Sequence, residues 1–161
     1  MHLNRRNFIQ AVASLAGIKA YPAQKIFNIV EFGAVAGGAT LCTQAIQRAI
    51  DACAESGGGR VLVPAGTFLS GAVVLKDRVN LHLSDGAVLL GSPWFRDYVP
   101  HAARTRARYE EYLLTSLIFA QGADGVSVSG NGLLDGNSRG ENDFMASGRE
   151  GKHRPVLIWF D

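Results

Sequence analysis

Side chains able to do chemistry fall in three places along the chain. Two adjacent carboxylates stand at Glu110-Glu111, three more acids (Asp135, Glu141 and Asp143) surround a glycine-rich loop, and arginines mixed with aromatics occupy Trp94 to Tyr112. Two carboxylates facing one bond can divide general-acid and general-base work. Neither acidic group is read that way. Glu110 and Glu111 lie in a segment without a clear period. Asp135, in Leu134-Asp135-Gly136-Asn137, has the makings of a turn, because Asp accepts bonds from nearby backbone N–H groups and Gly tolerates positive φ. The third group holds Arg96, His101, Arg104, Arg106 and Arg108 beside Trp94, Phe95, Tyr98 and Tyr109. Guanidinium groups pair with carboxylates and aromatic rings pack on sugar faces. Arg104, Arg106 and Arg108 would therefore suit the lining of a site for an acidic ligand. The plainer reading, favoured by the balance of charge, is a solvated loop offset by Asp97, Glu110 and Glu111.

Other chemistries find no constellation. The four histidines are scattered, so no metal site is expected, and no cofactor motif is present. His82 alternates with Leu81 and Leu83 and is expected to point out of a sheet. Cys42 and Cys53 fall on one predicted helix face, eleven residues apart. That is roughly 16 Å of rise, too far for a disulfide or a shared metal, and small buried packing residues are expected. The chain carries 16 basic and 14 acidic residues. Residues 1–23 hold Arg5, Arg6 and Lys19 with no acid, so the remainder is slightly acidic and nucleic acid is not an expected partner.

The same leader carries the first organisational signal. Arginines precede a short apolar segment, Ala11 to Ile18, which is too short to span a bilayer. Asn4-Arg5-Arg6-Asn7-Phe8-Ile9-Gln10 resembles a twin-arginine export motif, with Arg5, Arg6 and Phe8 as its carriers. Residues 1–23 are expected to be an export signal read by the twin-arginine machinery, and residues 24–161 to form the exported periplasmic or extracellular domain.

Within that domain the apolar runs are short and frequent. Val61 to Val63, Ala72 to Leu75, Val79 to Leu83 and Ala87 to Leu90 are bounded by Gly, Pro and Asp and read as strands. Leu117 to Phe119, Gly125 to Ser129, Leu133-Leu134 and Val156 to Phe160 continue the series, and Ile26 to Phe32 precedes it. One segment breaks the pattern. Thr43 to Ser56 places Cys42, Ala45, Ile46, Ala49, Ile50 and Cys53 on one face, which predicts an amphipathic helix capped by Thr40 or Thr43 and stopped at Gly57. A dinucleotide-binding fold is rejected, because Gly33, Gly37 and Gly38 have the wrong spacing and no acid ends the next strand. A weak repeat relates Asp77 to Ser92 and Asp124 to Asn137. Its offset of 47 residues predicts two turns of about 23 residues each. Short strands with glycine corners favour an all-β solenoid, a right-handed parallel β-helix, over a sandwich. The helix then has a place as the lid on the N-terminal end, where it shields strand edges.

At this point the residues resemble a known family. Phe32-Gly33-Ala34, Thr43 to Cys53, Gly57 to Phe68, Val79 to Leu83, Gly86 to Ser92, Asp97-Tyr98, Ser129 to Gly136 and Arg154 to Ile158 occur in the order found in glycoside hydrolase family 28. These are the polygalacturonase-like enzymes of the pectin lyase-like β-helix superfamily. The sequence departs from the pattern where Gly37-Gly38 and Leu41-Cys42 replace an acidic turn, and where a Trp-Glu-Gly is missing near Arg106.

The resemblance implies hydrolysis of pectin-type polysaccharide by an inverting mechanism, in which one carboxylic acid protonates the leaving oxygen and another carboxylate activates water. The family's Asn-Thr-Asp, Asp-Asp, Gly-His-Gly and Arg-Ile-Lys motifs do not occur in the chain. The resemblance therefore covers about the first third of such an enzyme, and no catalytic residue is assigned. The β-helix is expected to be incomplete at its C-terminal end, and the chain by itself to be inactive and aggregation-prone. Alternatives are a non-catalytic polysaccharide-binding or structural β-helix, and an epimerase-like or pectate lyase-like domain.

Overall fold

The computed structural model describes residues 24–98, 115–139, 144 and 154–161. Ten strands occur among them: β1 (Ile26–Asn28), β2 (Gly59–Val63), β3 (Gly66–Ser70), β4 (Val73–Val74), β5 (Val79–Leu83), β6 (Ala87–Gly91), β7 (Ser116–Ala120), β8 (Ser127–Gly130), β9 (Leu133–Asp135) and β10 (Val156–Phe160). Every pairing between them is parallel. They form three sheets, in the orders β1-β2-β5-β8, β3-β6-β9 and β4-β7-β10. From β2 onward, successive strands therefore visit the first, second and third sheet in turn. Each circuit lies on the previous one, which is a parallel β-helix.

The stacking follows from alternation. In β2, β3, β5 and β6 alternate residues are buried, as the two-residue period requires. Because the strands stack in register, apolar residues align into columns, with the end members only partly covered. Phe27, Val61, Leu81 and Val128 form one, Phe68, Leu89 and Leu134 a second, and Val73, Ile118 and Ile158 a third. The middle members are wholly buried and belong to one apolar cluster. In β7 all five residues are buried, so the third sheet is covered on both faces at that level.

The 47-residue repeat proves to be one turn, not two. Asn80 pairs directly with Ser127, whereas the preceding turn runs only from Arg60 to Asn80. The longer turn is swollen by a segment between β6 and β7, and insertion at a corner leaves strand register untouched. Strand β3 was not among the predicted strands. Its ends are Gly66 and Ser70, which read as turn residues, and Phe68 is its large inward side chain. The strand expected over Ile26 to Phe32 stops at Asn28. There Asn28 Oδ1 accepts from Val30 N–H at 3.1 Å and diverts the backbone into a 3-10 turn, Ile29–Phe32.

The helix α1 (Thr43–Glu55) lies across the N-terminal end as expected, with Ala45, Ile46, Ala49, Ile50 and Cys53 buried. Its cap differs from expectation. Cys42 is the capping residue and makes no side-chain cap bond. Thr43 Oγ1 instead accepts from Gly71 N–H at 2.7 Å, tying the helix to the β3–β4 turn. Gly57 takes the left-handed conformation, φ 95°, that ends the helix. Both cysteines are buried and unbridged.

One turn further along α1, Gln47 completes the edge of the third sheet. Its Oε1 accepts from Val74 N–H at 2.8 Å and its Nε2 donates to Val74 C=O at 3.0 Å. The amide thus replaces a neighbouring strand at an edge that would otherwise be open. Asp51 follows, accepting from Gln47 at 3.0 Å and pairing with Lys76 at 2.8 Å. Partial burial acts to raise the Asp51 pKa, but the bonds from Lys76 and Gln47 and the Lys76 charge outweigh it and hold the carboxyl below its ordinary value.

Candidate functional site

Two long insertions leave the coil at the same corner. One joins β6 to β7 and the next joins β9 to β10, so both run from the second sheet to the third on successive turns. Loops gathered along one edge of a rigid scaffold are where binding groups concentrate. The corner is therefore the candidate site.

A polar knot holds the first insertion. Ser92 Oγ donates to Asp97 Oδ2, and Trp94 N–H donates to Ser92 Oγ at 3.2 Å. Tyr98 OH donates to Ser92 C=O at 2.9 Å, and Ala72 N–H donates to Asp97 C=O at 3.2 Å. Tyr98 is buried, and burial followed by the neighbouring Asp97 charge pushes its phenol well above the ordinary value. Tyr98 is thus a neutral donor and an apolar wedge. On the solvent side Trp94 is exposed, and the Arg96 guanidinium carbon sits 5.5 Å from its ring centroid and 4.0 Å separates its Nε from Asp97 Oδ1.

The second insertion is stitched to the first. Asp135 Oδ1 accepts from Asn137 N–H at 2.8 Å, the turn role expected for that acid. The positive φ falls on Asn137, at 50°, and not on Gly136. Asn tolerates that region because its short side chain bonds locally. Here Asn137 Nδ2 donates to Gly91 C=O at 3.0 Å, which needs the residue turned toward the neighbouring coil. Farther on, the Phe144 ring meets Tyr98 edge-on, 5.8 Å between centroids.

Between the second insertion and β10 lies a cavity of about 270 Å³, lined by Gly136, Ser138, Phe144, Arg154, Pro155 and Leu157. Arg154 is exposed, and among the described residues no ion pair or side-chain hydrogen bond joins it to a neighbour. Arg154, Phe144 and Ser138 were missed as site residues. Arg154-Pro155 was visible in the sequence, but only the pairing of β10 with β7 brings it beside Gly136.

Arg5, Arg6 and Phe8 lie outside the described residues, as do Arg104, Arg106 and Arg108 and the acids Glu110, Glu111, Glu141 and Asp143. His82 stands on the outer face of the first sheet, half-buried, with Nδ1 2.9 Å from Ser129 Oγ. Ser129 Oγ donates to Asn80 Oδ1 at 3.0 Å, and Asn80 Nδ2 donates to Ser127 Oγ at 2.6 Å. That ladder ties β5 to β8, and its hydroxyls and amide are engaged with one another. Among the described residues no three His, Cys, Asp or Glu side chains come together as a metal site. No helix among them is long and apolar enough to cross a membrane.

Three parallel sheets wound in coils, with a helical lid and loops along one corner, define a pectin lyase-like β-helix. Residues 26–95 match the family model described as rhamnogalacturonase A/epimerase, pectate lyase-like. Over those residues the chain is similar to this superfamily, and the proteins it resembles include family 28 polygalacturonases. It is 40% identical over 121 residues to an exo-poly-α-D-galacturonosidase of Dickeya chrysanthemi, covering 70% of this chain and 20% of that protein. It is 36% identical over 141 residues to a probable polygalacturonase of Vitis vinifera, covering 81% and 28%. Among solved structures, the family 28 exopolygalacturonase of Yersinia enterocolitica superposes with a TM-score of 0.59 at 38% identity, over 69% of this chain and 20% of that one. An exopolygalacturonase of Thermotoga maritima gives 0.62 at 32% identity, over 70% and 25%. The chain thus spans between a fifth and under a third of the length of these relatives.

Proposed function

We propose that the protein is a hydrolase of pectin-type polysaccharide, cleaving galacturonate linkages as a polygalacturonase. The observation that carries this reading is the 40% identity to an exo-poly-α-D-galacturonosidase along coils of the same β-helical kind. The described coils supply the platform and one wall of loops, and the chemistry would be the inverting two-carboxylate scheme. No acid in this chain is assigned to it. Among the described acids, Asp97 and Asp135 are committed to turn bonds and Asp51 to Lys76. A polyanionic substrate suits the guanidinium groups at the loop corner, Arg96 and Arg154, with Arg104, Arg106 and Arg108 as further candidates in the first insertion.

The whole protein is expected to release reducing ends from polygalacturonate, with the first-formed anomer inverted as followed by proton NMR. Unsaturated uronate ends, detected by their ultraviolet absorbance, would instead place it with the lyases. That second reading is kept because the matching family description names epimerase and pectate lyase-like members. Unchanged polymer with altered sugar stereochemistry would make it an epimerase.

The leader fits export to the periplasm or beyond, read by the twin-arginine machinery. Replacing Arg5 and Arg6 together with lysine is expected to leave the protein in the cytoplasmic fraction, detected by immunoblotting of fractionated cells. Unaltered export of that variant would remove the twin-arginine reading.

A further inference from the structure

We infer that the open edge of β1 is an interaction surface for a second copy of this chain, with the two β1 strands pairing antiparallel about a two-fold axis. The surface lies at the lidded end and owes nothing to the polysaccharide reading. At that end the second and third sheets are closed by dedicated groups. Thr67 C=O accepts from Gly37 and Gly38 N–H at 2.8 and 2.9 Å, and Leu69 C=O accepts from Cys42 N–H at 2.7 Å, which covers β3. The Gln47 amide takes both backbone groups of Val74, which covers β4. The first sheet ends on β1, and no such device covers it among the described residues.

Parallel pairing turns the backbone groups of alternate residues to opposite sides. Lys25 C=O accepts from Arg60 N–H at 2.8 Å, and Phe27 stands opposite Val61, so Phe27 presents its N–H and C=O to β2. The N–H and C=O of Ile26 and the N–H of Asn28 therefore point away from the sheet, and no bond to them occurs among the described residues. An unpaired row of this kind is a template for another strand. Apolar surface flanks it, since Ile26 is 58% exposed and Val30 47%.

Symmetry and charge identify the occupant. A two-fold contact requires a patch that complements itself. Antiparallel pairing that sets Ile26 opposite Asn28 of the other copy lets Asn28 N–H donate to Ile26 C=O, once in each direction. The same axis carries Ile26 toward Val30 of the other copy and the Lys25 ammonium toward its Glu31 carboxylate. Glu31 is exposed and joins no ion pair among the described residues. Lys25 Nζ donates to Ser56 C=O at 2.9 Å, a neutral acceptor that leaves its charge uncompensated. Length also favours a copy. Asn28 diverts the backbone into the Ile29–Phe32 turn, so a long guest strand would run past the edge, whereas a second β1 turns away at the same place.

The test is sedimentation of the full chain over a concentration series. Reversible dimerisation is expected, and it should be weak, because so short an edge buries far less than the roughly 1,200–2,000 Å² of a stable complex. Ile26→Lys is expected to weaken it about tenfold or more, the scale of losing a buried isoleucine contact. Leu133→Lys, on the exposed strand β9 at the other end of the coil, should leave it unchanged. Lys25→Glu and Glu31→Lys are each expected to weaken self-association several-fold, and an equimolar mixture of the two variants to associate again, because each supplies the charge the other needs. All three substituted edge residues are exposed, so circular dichroism of the variants should match the parent. A monomer at every concentration would overturn the inference. So would a dimer that survives Ile26→Lys, a mixture that stays monomeric, or association abolished by Leu133→Lys, which would place the contact on the last coil.

Discussion

Leu81→Ala is expected to destabilise the domain by about 2–5 kcal/mol, the range for truncating a buried leucine. Leu81 is fully buried between Val61 of the preceding coil and Val128 of the next. Neither column neighbour can move in to fill the gap, because each is held in its own strand by parallel pairing. The cost should therefore fall toward the upper part of that range, where a cavity persists. Typical domains have only about 5–15 kcal/mol of stability to lose. A urea titration followed by circular dichroism should show a lower midpoint with little change in slope. A shift corresponding to under about 1 kcal/mol, less than the bare transfer cost of burying a leucine, would mean that the interior column is not packed as described.

The second large effect is at a corner. Gly58→Ala is expected to cost about 2–4 kcal/mol, combining backbone strain with overpacking. Gly58 has φ 101°, and a Cβ there would stand 2.5 Å from Arg78 Cβ and 2.6 Å from Arg78 C=O. The second contact is to backbone and cannot be relieved by rotating a side chain. The same carbonyl accepts from Gly59 N–H at 3.0 Å, so any shift that makes room also disturbs the pairing of β2 with β5. Gly58, Arg78 and Gly125 occupy equivalent places on successive coils, and all have positive φ. Arg78 tolerates the position, with φ 57° in the ordinary left-handed region, because Gly58 and Gly125 on either side leave room for its side chain. Thermal melting of Gly58→Ala checks this, and a melt superimposable on the parent would show that the corner is looser than the contacts indicate.

Both effects concern the scaffold, and so do most residues that carry the family resemblance. Ser92, Asp97 and Tyr98 form the knot that starts the first insertion. Asp135 and Asn137 begin the second and fasten it to Gly91. Asn131 Nδ2 donates to Asp85 Oδ1 at 2.9 Å, and Asp124 N–H donates to Asp77 Oδ1 at 3.0 Å, bracing turns of adjacent coils. A motif built from such residues identifies a superfamily reliably because each member must turn the same corners. It says little about chemistry, since a turn places no requirement on what a neighbouring loop binds.

What the sequence determined by itself was local. Short apolar runs bounded by turn residues marked β5 and β6 almost to their ends, and spacing of three and four marked α1, because both signals lie within a few neighbouring residues. The side chains of a solenoid repeat that same local pattern, so the fold class followed from counting short strands. Long-range register was a different matter. Whether 47 residues made one turn or two depended on which strands pair, and pairing is decided by interior columns that no short window contains. Strand β3 was hidden for the same reason, since Phe68 becomes a core residue only when Leu89 lies above it. The loop corner was also a product of tertiary structure. Arg154 and Gly136 are separated by most of an insertion, and only the return of the chain to the third sheet sets them around one cavity.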